Sequence, residues 1–309
     1  MNIRDMHNLN EITLVGLDIG CSGQKPMEWQ RLGHRLNYFG VDPLKNEIEV
    51  LRQKYPNDTF LNVFIKDVGC TGSADEVTSK FFSRTSAYHD MQAGFDLVQK
   101  NFNSGMEVVY SDEHLSAKET LAALQLEKVD ILKIDVDGDD FALLKAFLSS
   151  SQEFAHDLLA FEIESQFHGN AGEYGNHFSN ILNLANMHGF YLYSLDSYTY
   201  SRNDLRKSYV YDFPAQTDGG QVLWADALFM RDGMEVTSSE QRRKLALILD
   251  IYDLDDCAFE IIVETPEDFG LNNANLNDFK KKLESKESLL IIILQKFLKI
   301  IKQFAIPKV

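Results

Sequence analysis

Apolar runs that alternate with helix-period segments constrain this chain more than any other feature. Between about residue 11 and residue 230 the runs are Thr13–Ile19, Tyr38–Val41, Phe60–Ile65, Asp130–Asp135, Leu158–Ile163, Tyr191–Leu195 and Leu223–Met230. Helical spacing occupies Met27–Leu36, Asn46–Lys54, Ala117–Leu124, Phe141–Leu148 and Phe178–His188 between them. Strands apolar on both faces need helices on both sides, so the pattern predicts an α/β fold with a doubly wound, mostly parallel seven-stranded sheet. The stretch Asp75–Tyr110 reads as an insertion between the third and fourth strands, with extended segments at Glu76–Phe82 and Glu107–Tyr110. After Arg231 the character changes to a helical pair, Ser238–Ile251 and Asp255–Val263, then a polar linker, Asn272–Asn277. Two domains are therefore expected, residues 1–235 and a helical appendage over 236–309.

Charge narrows the partners. A formal net charge of −17 and a pI near 4.8 argue against nucleic acid, which requires a cationic footprint. Three cysteines without a Cys-x-x-Cys pair suit a reducing compartment. The N-terminus shows no cationic stretch followed by an apolar run, and no uninterrupted apolar stretch is long enough to span a bilayer. A cytoplasmic location is the expectation. The basic patch lies in residues 280–305, where a helical wheel gathers Lys296, Lys299 and Lys302 on one side and Leu290, Ile293, Phe297, Ile301 and Phe304 on the other. Such a helix must bury its stripe, either peripherally on an anionic membrane or by self-association.

The strand ends carry the chemistry. "LDIGCSG" joins the first strand to its helix, and Gly20 and Gly23 let the backbone turn tightly near a ligand. A dinucleotide fingerprint needs glycine where Asp18 stands. Its carboxylate opposes a pyrophosphate and suits the ammonium of a methionine moiety. The second strand ends "GVDP", which places Asp42 to accept ribose hydroxyls and lets Pro43 start the next helix. Asp67, at the third strand end before Val68, is placed for an adenine amino group.

The fourth strand runs into "VDILKIDVDGDDFALLKAF", residues 129–147, where acids crowd a buried strand end. Alternation puts Lys133, Asp135 and Asp137 on one side, with Ile134 and Val136 on the other. Lys133 can neutralise one carboxylate, and Asp139 and Asp140 suit the first turn of the following helix. Candidate bases are Asp135 and His168; Glu162 and Glu164 alternate with apolar neighbours on the fifth strand. Asp135, Asp137 and Glu162 offer oxygen ligands for a divalent metal. Ser86, with Arg84, Tyr88 and His89, is suited to holding a sugar or phosphosugar, and Arg202 and Gln216 to closing that pocket. Trp224 is expected in the core, as are Cys21 and Cys70 as small apolar residues.

Taken together, "LDIGCSG", "GVDPL", "NVFIKDVG" and the fourth-strand motif resemble the FkbM family of class I S-adenosylmethionine-dependent methyltransferases, over about residues 11–231. The resemblance implies a Rossmann-like sheet and S-adenosyl-L-methionine as cofactor. The implied cofactor set is Asp18, Gly20, Cys21, Gly23, Asp42, Pro43, Asp67, Val68 and Asp135. It further implies methyl transfer to an oxygen, with a sugar of a surface glycan, a secondary metabolite or a related small molecule as acceptor. Catalytic candidates are then Asp135, His168 and Lys133; acceptor-binding candidates are Asp137, Glu162, Ser86 and Arg202. Two other readings stand beside it: a dinucleotide-dependent oxidoreductase or epimerase, which lacks a Tyr-x-x-x-Lys pair here, and a non-catalytic cofactor-binding or assembly module.

Overall fold

The computed structural model describes residues 3, 6, 9–70, 110–136, 138–167, 172–200, 220–272, 276–277 and 280–281. The chain divides into two compact units, Thr13–Val236 and a second drawn from Met1–Ile12 and Thr237–Val309. In the second unit, α7 (Ser239–Ile251) and α8 (Asp255–Glu264) form the helical pair, and Ile3, Met6 and Leu9 are buried apolar residues. The first twelve residues thus group with the C-terminal helices, although the sequence boundary alone keeps them with the sheet domain.

The larger unit is built on β1 (Leu14–Ile19), β2 (Leu36–Val41), β3 (Thr59–Leu61), β6 (Ile131–Ile134), β7 (Ala160–Gln166), β8 (Phe190–Tyr200) and β9 (Gln221–Arg231). Their order across the seven-stranded sheet is β3-β2-β1-β6-β7-β9-β8. Neighbours from β3 to β7 pair in parallel, while β9 runs antiparallel to both β7 and β8. This is the expected doubly wound, Rossmann-like architecture. Strand order reverses between β1 and β6, so the crevice at their carboxyl ends is where such a sheet takes a ligand.

Alternation decides each face. Leu17, Ile19, Leu132, Ile134, Phe161, Ile163, Ala227 and Phe229 form one core with Leu144 and Phe147 of α4 (Asp140–Ser150) and Ile181 and Ala185 of α6 (Phe178–Met187). Phe161 stacks on Phe229 at 5.0 Å and meets Phe190 edge-on at 5.1 Å. On the other face, Gly16 lets the ring of Trp29 lie on β1, since a Cβ there would come within 2.8 Å of the indole. Trp29, from α1 (Met27–Gln30), then packs edge-on against Tyr38 at 6.1 Å.

Three local expectations shift. The third apolar run is not one strand: it splits into β3 and β4 (Phe64–Ile65), and β4 pairs instead with β5 (His114–Leu115). Asn62 sits at the break, its amide donating to Asp42 O and its carbonyl accepting from Ser111, so backbone groups there leave the ladder. The first helix stops early because Gly33 turns to φ +58° and β2 begins at Leu36. Gln152–Asp157 forms an additional helix, α5, capped by the Ser151 hydroxyl on the Phe154 amide at 2.9 Å. The remaining helices, α2 (Lys45–Lys54) and α3 (Ala117–Ala123), lie within a residue of expectation.

Arg231 ties the last strand to the helices. Its guanidinium donates to the carbonyls of Leu158, His188 and Ala155 while lying 4.4 Å from the Phe190 ring centroid. These carbonyls belong to the ends of α5 and α6, which have no intrahelical donor. Arg231→Met keeps the stem but orphans them, so urea unfolding should show a loss of about 1–3 kcal/mol. An unchanged midpoint would rule out this bracing role.

Candidate functional site

The site begins with one carboxylate at the end of β1. Asp18 is 2% exposed, and its Oδ2 accepts a hydrogen bond from the Tyr38 hydroxyl at 2.6 Å. Its Oδ1 is buried without a hydrogen-bond partner among the described residues. Strand register explains the neighbours: Asp18 lies opposite Gly40 on β2 and opposite Lys133 on β6, and Lys133 in turn lies opposite Glu162 on β7. Residues directly opposite share a face, so Asp18, Lys133 and Glu162 form a charged row across three strands. Lys133 Nζ reaches Asp135 Oδ2 at 2.7 Å.

Burial pushes Asp18 up to about 6; Lys133 and the Tyr38 hydroxyl pull it down, and Asp135 adds to the rise. Burial alone would lower Lys133, yet Asp135, Asp18 and Glu162 together hold its ammonium above the usual lysine range. The cation among these acids is therefore the chain's own ammonium. Among the described residues no group of three or more His, Cys, Asp or Glu side chains is arranged to hold a metal ion. Asp137, the third proposed ligand, lies outside the described residues.

A cleft of about 290 Å³ opens over this floor, with Asp18, Lys133 and Asp135 below and Gly20, Ser22, Gln24, Lys25, Pro26 and Met27 as its wall. Its size sits at the lower end of the ~300–1,000 Å³ typical of small-molecule pockets, enough for part of a nucleoside ligand. Gly20 makes the close approach feasible: at φ +86°, a Cβ there would come 1.8 Å from the Asp135 carbonyl. Lys25 brings no free charge, because it pairs with Asp58 and lies over the Tyr38 and Tyr55 rings. With both acids ionised, the floor of Asp18, Lys133 and Asp135 carries a net −1.

Asp42, at the end of β2, is 4% exposed and accepts from the Leu44 amide at 2.7 Å. Burial pushes it up to about 6, while the Leu44 and Ser22 amides pull it down. Together with the Gly20 and Cys21 amides on Val41 O, this contact ties the glycine turn to β2. An ionised carboxylate has about four acceptor positions, so two amides leave room for hydroxyl donors. Asp42 and Asp18 both push up the Cys21 thiol, which burial raises first, so the two carboxylates flank the same turn.

Not every expected residue reaches the cleft. The Cys21 side chain is 1% exposed and packs against Gly40, which makes it core; only its backbone belongs to the turn. Asp67 places one oxygen on the Val68 amide and the other on the Ala117 amide at the start of α3, so it serves a helix terminus. Val68 beside it is 71% exposed. Gly23 faces open space, since a Cβ there would meet no described atom within 4 Å, and Pro43, like Asp42 before it, lies outside the cleft lining. Asp140 is fully buried, accepting from the Val136 and Gly138 amides and from Asn176 Nδ2, which ties these residues to the start of α4. His168, Ser86, Arg202, the related Arg84, Tyr88, His89 and Gln216, and the tail beyond Lys281 lie outside the described residues.

Two residues escape sequence reasoning. Tyr38 looks like an ordinary strand aromatic until register sets it opposite Gly16, on the same face as Asp18 and within reach of its carboxylate. Asp226 lies opposite Glu164 on β7 and Asp196 on β8, accepts from the Tyr198 hydroxyl at 3.0 Å, and is raised by burial and by Asp135. Trp224 is only partly buried and stacks on Tyr198 at 5.5 Å, so it is an aromatic of the hairpin, not of the inner core.

No family model matches this chain, and no curated protein matches it. Among solved structures it is similar to magnesium protoporphyrin IX methyltransferase from Synechocystis PCC 6803 with bound SAH, at 12% identity over 72% of this chain and 75% of that one, TM-score 0.34. Human methyltransferase-like protein 13 in complex with SAH aligns at 13% identity over 81% and 87%, TM-score 0.33. An arsenic(III) S-adenosylmethionine methyltransferase from Chlamydomonas reinhardtii aligns at 11% identity over 71% and 63%, TM-score 0.31. Likeness at this level transfers no residue role, so function is argued from the site itself.

Lys133→Met would take away the ammonium that Asp18 and Asp135 share. At pH 5 protonation of Asp18 relieves the repulsion; at pH 8 the two carboxylates repel each other without it. Thermal and urea unfolding should show a deficit larger at pH 8 than at pH 5 by on the order of 1–3 kcal/mol. A pH-independent deficit would show that Lys133 acts only through packing.

Proposed function

We propose that this protein is an S-adenosyl-L-methionine-dependent methyltransferase of FkbM type that methylates a hydroxyl of a saccharide. One observation carries the reading: a buried carboxylate oxygen of Asp18, without a hydrogen-bond partner among the described residues, at the carboxyl edge of β1 beside a cleft whose floor is net negative. Such an acceptor suits the ammonium of the cofactor's methionine end. It opposes a pyrophosphate, which disfavours the dinucleotide reading. Asp42 is the acceptor for ribose hydroxyls one strand away, and the exposed Val68 offers an apolar edge to a base.

When bound, the cofactor supplies an electrophilic methyl group. The chain's own residues must orient the acceptor for in-line attack and receive its proton. Asp135 is paired with Lys133, which suits it to anchor the acceptor. Asp226, whose pKa burial raises, is the proposed base on that face. In register, Glu162 lies opposite Lys133 and Glu164 opposite Asp226. The saccharide acceptor, a cytoplasmic site of action and membrane or self-association through residues 280–305 belong to the same proposal. Among the described residues no helix is long and apolar enough to cross a membrane.

Calorimetry with S-adenosylhomocysteine tests the cofactor. The binding-competent site needs Asp18 and Asp42 ionised, and both are pushed up to about 6. Affinity should level off between pH 7 and 8, while the ligand's amino group keeps its proton, and fall below pH 6, by up to about tenfold per pH unit for each group that must lose its proton. Absence of binding at pH 7.5 removes the assignment. Methyl transfer to glycan acceptors, followed by mass spectrometry, tests the rest: Asp226→Asn should lower turnover about 10²–10⁴-fold with S-adenosylhomocysteine affinity intact. Binding without turnover on any hydroxylated acceptor would favour a non-catalytic module.

A further inference from the structure

We infer that Tyr38 is a positioning residue, its hydroxyl holding one oxygen of Asp18 so that the other is presented to the cleft as the acceptor for a ligand ammonium. The inference rests on the cofactor reading above and deepens it. Tyr38 is 2% exposed, and its 2.6 Å bond to Asp18 Oδ2 is buried on both sides. Packing leaves the ring little freedom: Trp29 meets it edge-on at 6.1 Å, Phe60 at 5.8 Å, and Lys25 covers it at 5.0 Å. A hydroxyl fixed this way selects one carboxylate orientation, and Asp18 Oδ1 remains without a hydrogen-bond partner among the described residues, beside the cleft.

A phenol donor has a second consequence. Hydrogen bonding to the charged form favours ionisation, so Tyr38 opposes the burial that would protonate Asp18. The charged and titratable groups around the pair are Lys133 and Asp135 from β6, Cys21 from the turn, Asp42 at the end of β2, Asp58 after α2, and Lys25 over the ring. Lys133 holds Asp18 ionised from the β6 side, and Tyr38 from the β2 side.

Tyr38→Phe removes only the oxygen. In the intact chain it should weaken S-adenosylhomocysteine about tenfold at pH 7.5 and move the midpoint of the affinity-against-pH curve upward by about one unit. On an Asp18→Asn background the same change should have little further effect, because the charge it orients is gone. A loss equal at every pH, or losses that simply add in the double variant, overturns the inference. Wild-type protein that fails to bind at all refutes the cofactor reading instead. Should Tyr38→Phe not fold, wild-type protein labelled with ¹³C at the tyrosine Cζ gives the same information. The Tyr38 resonance must then titrate with the binding midpoint and shift on adding S-adenosylhomocysteine; a signal indifferent to both overturns the inference.

Discussion

A buried carboxylate at a strand end is the constraint that organises this protein. Removing an ion from water costs several kcal/mol unless charge or hydrogen bonds replace the lost solvent. Asp18 on the central strand meets that requirement from both sides, with the Tyr38 hydroxyl from β2 and the Lys133 ammonium from β6. The buried lysine then needs its own partners, and Asp135 and Glu162 supply them. The cluster of acids around the fourth strand is thus half of an internal charge network, in which Asp18 Oδ1 has no hydrogen-bond partner among the described residues.

Close approach of backbones shapes the space around that oxygen. Gly20 places the end of β1 against the Asp135 carbonyl, where no side chain fits. The turn it begins is held to β2 through the Val41 carbonyl and the Asp42 carboxylate. On the far side, Asp140 gathers the Val136 and Gly138 amides and Asn176, which ties those residues to the start of α4. Three carboxylates with similar chemistry therefore have three different tasks, set by what each faces: Asp18 faces a cleft, Asp42 faces a turn and Asp140 faces the backbone amides of Val136 and Gly138 and the Asn176 amide.

Much of the architecture was legible from periodicity. Each expected apolar run contributes a strand to the large sheet, because runs of that length leave few other ways to bury themselves. The misses share a cause. Asn62 interrupts the third run through hydrogen bonds to Asp42 and Ser111, and Gly33 ends the first helix by a backbone conformation; neither changes the hydrophobic pattern. Asp67 shows the same limit for chemistry. Its position at a strand end matches an adenine contact as well as it matches a helix terminus, and the Ala117 amide it accepts from lies 50 positions away, where spacing along the chain does not show it.

Composition and order along the chain determined the sheet, the helices that cover it and the placement of Asp18, Asp42 and Asp135 at strand ends, because burial and alternation are local properties of a sequence. Strand order and register were decided only in three dimensions. Tyr38 takes its role from Asp18, 20 positions away, and Asp226 from Tyr198, 28 positions away. Lys133 meets Asp18 only because β1 and β6, remote in the chain, become neighbours. Periodicity says which face a side chain takes; it carries no record of the side chain opposite.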